Sequence, residues 1–162
     1  MKAFIYVLYE LILGNIVKIL GISLVITILL QIAGRFILPH PLSWTEELAR
    51  FLFIWFGFLG SVITLKRKMH LGIEILYQKF TGRNKKMLDT IIQMFIILFG
   101  VILFINGLKL VEIGNIQKSP VMRWPMSYFY SAIPVTGLLI LIYSLFSLVK
   151  IFQNTSEQDK KV

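Results

Sequence analysis

Residues 41–74 read P-L-S-W-T-E-E-L-A-R-F-L-F-I-W-F-G-F-L-G-S-V-I-T-L-K-R-K-M-H-L-G-I-E, and this segment says most about the architecture. Its apolar run ends at Leu65 and is long enough to cross a membrane, because about 20 helical residues span the hydrocarbon core. Glu46, Glu47 and Arg50 open the run, and the basic residues 66–68 close it. Charges inside hydrocarbon are costly, so the three opening charges need a structural or functional reason.

The rest of the chain also has the composition of a membrane protein. It has 162 residues, 57% of them hydrophobic, with a mean hydropathy of +0.79 and no cysteine. Four apolar blocks cover residues 16–38, 44–65, 87–111 and 127–149, and they lack the strict alternation of barrel strands. We therefore predict an all-α integral membrane protein. It is expected to form a single membrane domain over residues 1–162, with four transmembrane helices in one compact bundle and a polar tail, residues 153–162, that is disordered at its end.

Residues 2–15 allow two interpretations. Lys2, Tyr6, Glu10 and Gly14 recur every four residues among apolar neighbours. This pattern is typical of an amphipathic helix that lies along the membrane interface. The alternative is an N-terminal extension of the first spanning helix, and the pattern alone does not decide between them.

The positions of Lys and Arg predict the orientation in the membrane. The two terminal segments and residues 66–86 together carry twelve basic residues, whereas the opposite side carries four, with Arg50 counted as intramembrane. The positive-inside rule therefore places both termini and residues 66–86 in the cytoplasm. The same distribution explains the net charge of +9, so we expect no nucleic-acid partner.

Polar and small residues form one stripe on each of the first three helices, and such residues usually mark surfaces that face protein. The stripes are Ser23, Thr27, Gln31 and Arg35; then Glu46, Arg50, Gly57, Gly60, Ser61 and Thr64; then Asp89, Gln93, Gly100, Gly107 and Gly114. Glycines seven residues apart predict close helix packing. The small residues are consistent with packing inside the bundle and also with the docking of a partner protein.

The charged cluster at the start of the second helix has a similar pair of explanations. Glu46 and Glu47 lie where the helix dipole favours negative charge. Glu46 reaches Arg50 at i+4 and Glu47 reaches it at i+3. Pairing within the chain explains the cluster, and a contact with another subunit at the outer membrane boundary explains it as well. The two explanations are compatible.

No constellation typical of catalysis or cofactor binding occurs in the sequence. There is no Ser-His-Asp set and no phosphate-binding glycine loop, and His40 and His70 are predicted on opposite sides of the membrane. We therefore expect a protein that is not an enzyme and that binds no metal or cofactor. The alternative is a small four-helix membrane protein of another class, either a multidrug exporter or a haem-bearing anchor of a respiratory complex. The exporter needs a midplane carboxylate, and the anchor needs histidines inside its spans. The predicted spans have neither.

The segment quoted above matches a family pattern, W-S/T-E-E-x-x-R followed by an apolar stretch with Trp and Gly, a basic turn and H-x-x-I/V-D/E. The matching positions are Trp44, Thr45, Glu46, Glu47, Arg50, Trp55, Gly60, Arg67, His70 and Glu74. A weaker match, P-M-x-x-x-Y-x-x-x-P, runs from Pro125 to Pro134. The chain thus resembles the small membrane subunit (Q-type, DctQ-like) of tripartite ATP-independent periplasmic (TRAP) transporters.

This resemblance implies a component of a transporter in the bacterial inner membrane. In that family a large M-type subunit carries the substrate and sodium sites and moves as an elevator, and a periplasmic substrate-binding protein delivers an organic acid. The small subunit resembles a fixed scaffold for the large one. The implied partners are therefore the large subunit, the binding protein and membrane lipid. C4-dicarboxylates, sialic acid and keto acids all stay open as substrates.

The candidate structural or subunit-interface positions combine the motif matches with neighbouring small, polar and aromatic residues. They are Trp44, Glu46, Glu47, Arg50, Trp55, Gly57, Gly60, Arg67, His70, Glu74, Arg123, Pro125 and Tyr130.

Overall fold

The computed structural model of the chain describes residues 7–38, 42–66 and 83–158. Throughout these ranges the chain is helical apart from short connections, so the predicted all-α fold is confirmed. The helices are α1 (Leu13–Ile37), α2 (Ser43–Lys66), α3 (Arg83–Ile116), α4 (Ser127–Tyr130) and α5 (Ala132–Gln158), and a π-helical segment, Val7–Ile12, precedes α1.

Four stretches of the described residues are long and apolar enough to cross a membrane, as predicted. They are Val7–Ile37, Ser43–Lys66, Met87–Ile116 and Ser127–Val149. Residues 7–15 continue into α1 without a break, so this part of the N-terminal segment extends the first span and is not a separate interfacial helix. At the other end, α5 continues to Gln158, and the first residues of the predicted polar tail are therefore helical.

The helices pack as an open row rather than as the compact bundle expected from the sequence. α1 packs against α2, α2 against α5, and α5 against α3, so that α1 and α3 lie at the two ends. A closed bundle is not required in a membrane, because lipid tails are as apolar as leucine and do not penalise an exposed apolar helix. The outward faces of α1 and α3 are accordingly rich in exposed Ile, Leu and Phe.

The tightest contact joins α3 to α5 through the predicted glycine stripe. A methyl group added at Gly107 would lie 2.7 Å from the ring of Pro134, and one at Gly114 would lie 2.7 Å from the backbone of Ser127. Gln93, one of the polar residues of the same stripe, is buried and donates a hydrogen bond to the Ser144 carbonyl at 3.2 Å. The prediction of close packing along this stripe is therefore confirmed.

The last span is interrupted near its start. α4 ends at Tyr130, and α5 begins at Ala132. Proline lacks an N–H group, and its ring clashes with the carbonyl four residues earlier; for Pro134 that residue is Tyr130. The Ser131 hydroxyl donates to the Tyr128 carbonyl at 2.8 Å and so satisfies a group near the break.

A polar cluster joins three elements at the opposite end of the molecule. Tyr9 is 1% exposed and donates to the Leu139 carbonyl at 2.6 Å, and its ring meets that of Tyr143 edge to face. Lys66 forms an ion pair with Glu10 at 2.7 Å. This cluster fixes the π-helical segment against the end of α2 and the middle of α5.

Candidate functional site

Glu47 lies just after the first turn of α2 and points into the protein. It is 4% exposed, and its Oε2 atom accepts hydrogen bonds from the backbone N–H groups of Val121 and Met122, both at 2.9 Å. Successive N–H groups of a turn form an anion-binding concavity. Here the bound anion is a side chain of the same chain, and it connects the start of α2 to the loop between α3 and α4.

That loop, residues 117–126, is a short hairpin. Ser119 N–H donates to the Trp124 carbonyl at 2.8 Å, Met126 N–H donates to the Gln117 carbonyl at 3.0 Å, and Trp124 N–H donates to Ser119 Oγ at 3.1 Å. Arg123 has a φ of 58°, a left-handed conformation that is uncommon for a residue with a side chain. The 117–126 hairpin is therefore closed by its own hydrogen bonds and is also held by the carboxylate of Glu47.

Glu46, the neighbouring glutamate, has a different environment. Its Oε1 atom lies 3.1 Å from Arg50 Nη2, and these side chains are 66% and 63% exposed. Successive helical residues point about 100° apart, so Glu47 faces the hairpin while Glu46 and Arg50 face outward. The expectation that both glutamates pair with Arg50 is thus corrected: Glu46 forms the ion pair, and Glu47 hydrogen-bonds the hairpin.

The outward face of α2 continues below the Glu46–Arg50 pair as a strip of small and polar residues. We call it the α2 strip: Glu46, Arg50, Gly57, Gly60, Ser61 and Thr64. At about 100° per residue, these positions fall within roughly a third of the helix circumference. Phe51, Leu59 and Val62 are buried on the opposite face. The α2 strip therefore points away from the core of the chain.

The two glycines of the α2 strip have free space beside them. A methyl group added at Gly57 or at Gly60 would meet nothing within 4 Å. The hydroxyls of Ser61 and Thr64 donate to carbonyls of their own helix, at 2.7 Å and 3.1 Å. The small residues of α3 therefore pack inside the chain, whereas those on this face of α2 do not.

The other candidate residues divide between these two regions. Trp55 donates from Nε1 to the Tyr128 carbonyl, and the Tyr130 hydroxyl donates to Gln117, both at 3.2 Å. Pro125 pairs with Lys118 across the hairpin. Trp55 thus contacts α4, and Tyr130 contacts the first residue of the hairpin. Arg123, on the hairpin itself, and Trp44, at the start of α2, are exposed. Arg67, His70 and Glu74 lie outside the described residues.

Two features of this region have no signal in the sequence. One is the bond from Glu47 to the hairpin, which joins residues 74 and 75 positions apart. The other is the left-handed Arg123, since a turn of this kind is usually signalled by Gly or Asn. Across the described ranges, no group of three or more His, Cys, Asp or Glu side chains is arranged to hold a metal ion.

Comparison with known proteins connects this geometry to one family. Residues 24–154 match the profile of the DctQ component of tripartite ATP-independent periplasmic transporters. The chain is 24% identical over 152 residues to the sialic acid TRAP transporter small permease protein SiaQ of Vibrio cholerae, covering 90% of this chain and 88% of that protein.

Two longer proteins align with this chain over a small part of their length. The sialic acid TRAP transporter permease protein SiaT of Haemophilus influenzae is 26% identical over 112 residues, which are 68% of this chain and 18% of SiaT. The isethionate TRAP transporter permease protein DctMQ of Oleidesulfovibrio alaskensis is 25% identical over 95 residues, which are 57% of this chain and 15% of DctMQ.

Proposed function

The chain belongs to the DctQ components of tripartite ATP-independent periplasmic transporters, and from this premise we propose that it is the fixed scaffold of a large transport subunit. The α2 strip is the proposed docking face for that subunit. The observation that carries the proposal is the contrast between two sets of glycines. The space beside the α3 glycines is filled by α5, whereas the glycines of the α2 strip face open space on a membrane-spanning helix.

The chemistry of the α2 strip favours a protein partner over lipid. Small residues let helix backbones approach closely, which is the usual basis of helix association in membranes. The Glu46–Arg50 pair lies at the top of the same face, where contact with acyl chains would be unfavourable. A partner helix that packs on Gly57 and Gly60 would also cover this ion pair.

The lengths of the relatives support a large membrane partner. In SiaT and DctMQ, the counterpart of this chain is a segment of a permease several times longer. In those proteins it is covalently attached to the rest of the permease. A small subunit of this family that is not fused in this way needs a noncovalent surface to hold the large subunit. The α2 strip has the required position and composition.

We further propose that the assembled transporter takes up an organic acid delivered by a periplasmic binding protein, with sodium coupling and an elevator motion in the large subunit. The named relatives carry sialic acid and isethionate, two different organic acids. C4-dicarboxylates and keto acids stay open for this chain as well. Selectivity is expected to reside in the large subunit and the binding protein.

Co-purification tests the docking face. The chain and the large subunit are co-expressed with an affinity tag on the large subunit, and the amount of bound small subunit is measured. Gly60→Leu should strongly reduce it, because a bulky side chain would separate the helix backbones. Gly57→Leu should act in the same direction. The matched control is Ile105→Phe, a bulkier side chain on the exposed face of α3, which should leave the yield unchanged. Wild-type yields for both glycine variants would contradict the proposal.

A further inference from the structure

We propose that the π-helical segment before α1, residues 7–12, is a two-state strap that fixes the start of the first span to α5. In one state the strap is π-helical and Tyr9 is docked on α5. In the other state the strap is α-helical, Tyr9 is released, and the start of α1 separates from α5 while α2, α5 and α3 keep their places in the row. The proposal concerns this chain alone and is independent of the proposed docking of a large subunit.

The strap has an unusual backbone. Val7–Ile12 is a π-helix and continues directly into α1. π-helices are rare, are mostly single turns and occur frequently at functional sites. A turn closed by i→i+5 hydrogen bonds holds one residue more than an α-helical turn, so conversion to an α-helix rotates the first residues of the strap relative to α1 by about 100°. Such a rotation moves a side chain from the protein-facing side of the span toward its lipid-facing side.

Tyr9 is the residue that favours the π-helical state. Its side chain is 1% exposed, whereas Leu11 and Ile12 beside it are 48% and 51% exposed. The Tyr9 hydroxyl donates to the Leu139 carbonyl at 2.6 Å, and its ring lies edge to face against that of Tyr143, with 5.9 Å between the ring centroids. A buried phenol needs a hydrogen-bond partner. Rotation of the strap would remove both contacts with α5, so these contacts stabilise the π-helical state.

An ion pair next to Tyr9 attaches the strap to α2 as well. Glu10 Oε1 lies 2.7 Å from Nζ of Lys66, the last residue of α2, and these side chains are 33% and 17% exposed. The Tyr143 hydroxyl donates to the Lys66 carbonyl at 3.3 Å, so the same residue of α2 is also joined to α5. An ion pair that is partly shielded from water is stronger than a fully exposed one. Rotation of the strap would separate Glu10 from Lys66.

The rest of the first span contributes little to holding α1 near α5. Within the described ranges, α1 packs against α2 and makes no comparable contact with α5. The first span is also the least buried of the four. Lipid tails are as apolar as leucine, so an apolar helix that moves away from α5 into lipid loses its contacts but has no hydrophobic penalty. The contacts of Tyr9 and Glu10 therefore decide where the start of α1 lies.

The test measures the distance between α1 and α5 in the full-length chain, held in nanodiscs. The chain has no cysteine, so spin labels at Ile16→Cys and Leu145→Cys, two exposed positions, report this distance by pulsed electron paramagnetic resonance. Tyr9→Phe keeps the ring and removes only the hydroxyl. It should increase the ratio of a longer to the shorter distance roughly fivefold, the effect of one typical hydrogen bond. The matched control is Tyr128→Phe, a tyrosine that is 64% exposed, which should leave the ratio unchanged.

The ion pair is tested with the same labels. Glu10→Gln should shift the ratio in the same direction as Tyr9→Phe. Glu10→Lys combined with Lys66→Glu should restore at least part of the wild-type ratio, because the pair forms again with its charges exchanged. The matched control is Glu46→Gln, which removes the exposed ion pair at the other end of α2 and should have no effect on this distance.

Deletion of Leu11 tests the role of the π-helical turn. With one residue fewer, an α-helical turn places Tyr9 in its docked direction, and conversion from π-helix to α-helix no longer releases it. The deletion variant should therefore show only the shorter distance. Loss of the shorter distance in this variant would overturn the two-state model.

Two further results would overturn the proposal. One is a wild-type distance ratio in both Tyr9→Phe and Glu10→Gln. The other comes from a second pair of labels, Phe53→Cys and Leu145→Cys, which reports the distance between α2 and α5 and should stay the same in every variant. A change in that distance would mean that the strap supports the whole row and does not act on α1 alone. None of these outcomes depends on the large subunit, so a failed docking test and a failed strap test are distinguishable.

Discussion

At the scale of single residues, two adjacent glutamates have different roles because successive residues of a helix point in different directions. Glu47 is buried and binds two backbone N–H groups of the 117–126 hairpin. Glu46 is exposed and pairs with Arg50. The two consecutive glutamates thus provide an internal support and an outward-facing ion pair. Substitutions at the two positions should therefore have different effects.

Glu47→Ala should destabilise the isolated chain, whereas Glu46→Ala should not. Removing the buried acceptor leaves Val121 and Met122 N–H groups unsatisfied, at a cost of about 1–3 kcal/mol for each group that water does not reach. An exposed ion pair contributes about 0–1 kcal/mol. Thermal unfolding in detergent measures the difference, and tryptic cleavage after Arg123 reports on the hairpin. Equal unfolding temperatures and equal cleavage rates for the two variants would show that Glu47 does not hold the hairpin.

Arg50→Ala should have little effect on the isolated chain and a large effect on the complex. In the chain alone the pair is exposed, so its loss costs about 0–1 kcal/mol. Once a partner covers the face, the same substitution leaves Glu46 buried without its cation, at a cost of about 3–5 kcal/mol. Arg50→Lys should rescue only part of this loss, because lysine lacks the bidentate guanidinium. The measurement is thermal unfolding with and without the large subunit. Equally small decreases of the unfolding temperature in the two cases would mean that the Glu46–Arg50 pair stays exposed in the complex.

At the scale of secondary-structure elements, the glycines of two helices have opposite surroundings. Gly107 of α3 lies against Pro134 of α5, whereas Gly57 of α2 has nothing within 4 Å. The first position is filled by the chain itself, and the second is open to a partner. The same substitution at the two sites therefore separates the folding of this chain from its assembly.

Gly107→Leu should destabilise the isolated chain by at least about 1–3 kcal/mol, the usual cost of overpacking a close contact. Gly57→Leu should leave its stability unchanged or raise it by up to about 1 kcal/mol, because leucine has the higher helix propensity. Chemical unfolding of both variants in the same detergent measures this. A loss of stability in Gly57→Leu as large as that in Gly107→Leu would mean that α2 packs more closely within the chain than the structure shows.

At the scale of the whole molecule, the open row of helices suits a subunit that completes its packing with another protein. The chain is a multi-pass membrane protein of a transporter family. The row exposes the α2 strip on one side and leaves the apolar faces of α1 and α3 at its ends. The hairpin lies at the end of the molecule opposite the cluster of Tyr9 and Lys66.

The orientation of the row is testable with impermeant thiol reagents. The chain has no cysteine, so single cysteines can be introduced without background. On cells with an intact inner membrane and a permeable outer membrane, Gln117→Cys should be labelled and Gln78→Cys should be protected, as the positive-inside rule requires. After the membrane is permeabilised, Gln78→Cys should become reactive, which controls for its accessibility. The reverse labelling pattern would contradict the predicted topology and the periplasmic location of the hairpin.

The spans and the α3 glycine contact follow from the sequence alone, for a physical reason. A membrane demands about 20 apolar helical residues for each crossing, so the apolar blocks of the sequence set the number of helices and most of their ends. One face of α3 has a glycine at every seventh residue, namely Gly100, Gly107 and Gly114. Another helix backbone can approach closely only where side chains are absent. Both are local properties of a helix and its solvent.

The roles of the glycines and glutamates of α2 were decided only by the tertiary structure. Gly57 and Gly60 look like the α3 glycines in sequence, but they are open because α5 packs on the opposite face of α2. Glu47 is internal because the hairpin, more than 70 residues further along the chain, folds over the start of α2. Such outcomes depend on which neighbour occupies the space beside a helix, and helical periodicity specifies only the direction in which a residue points.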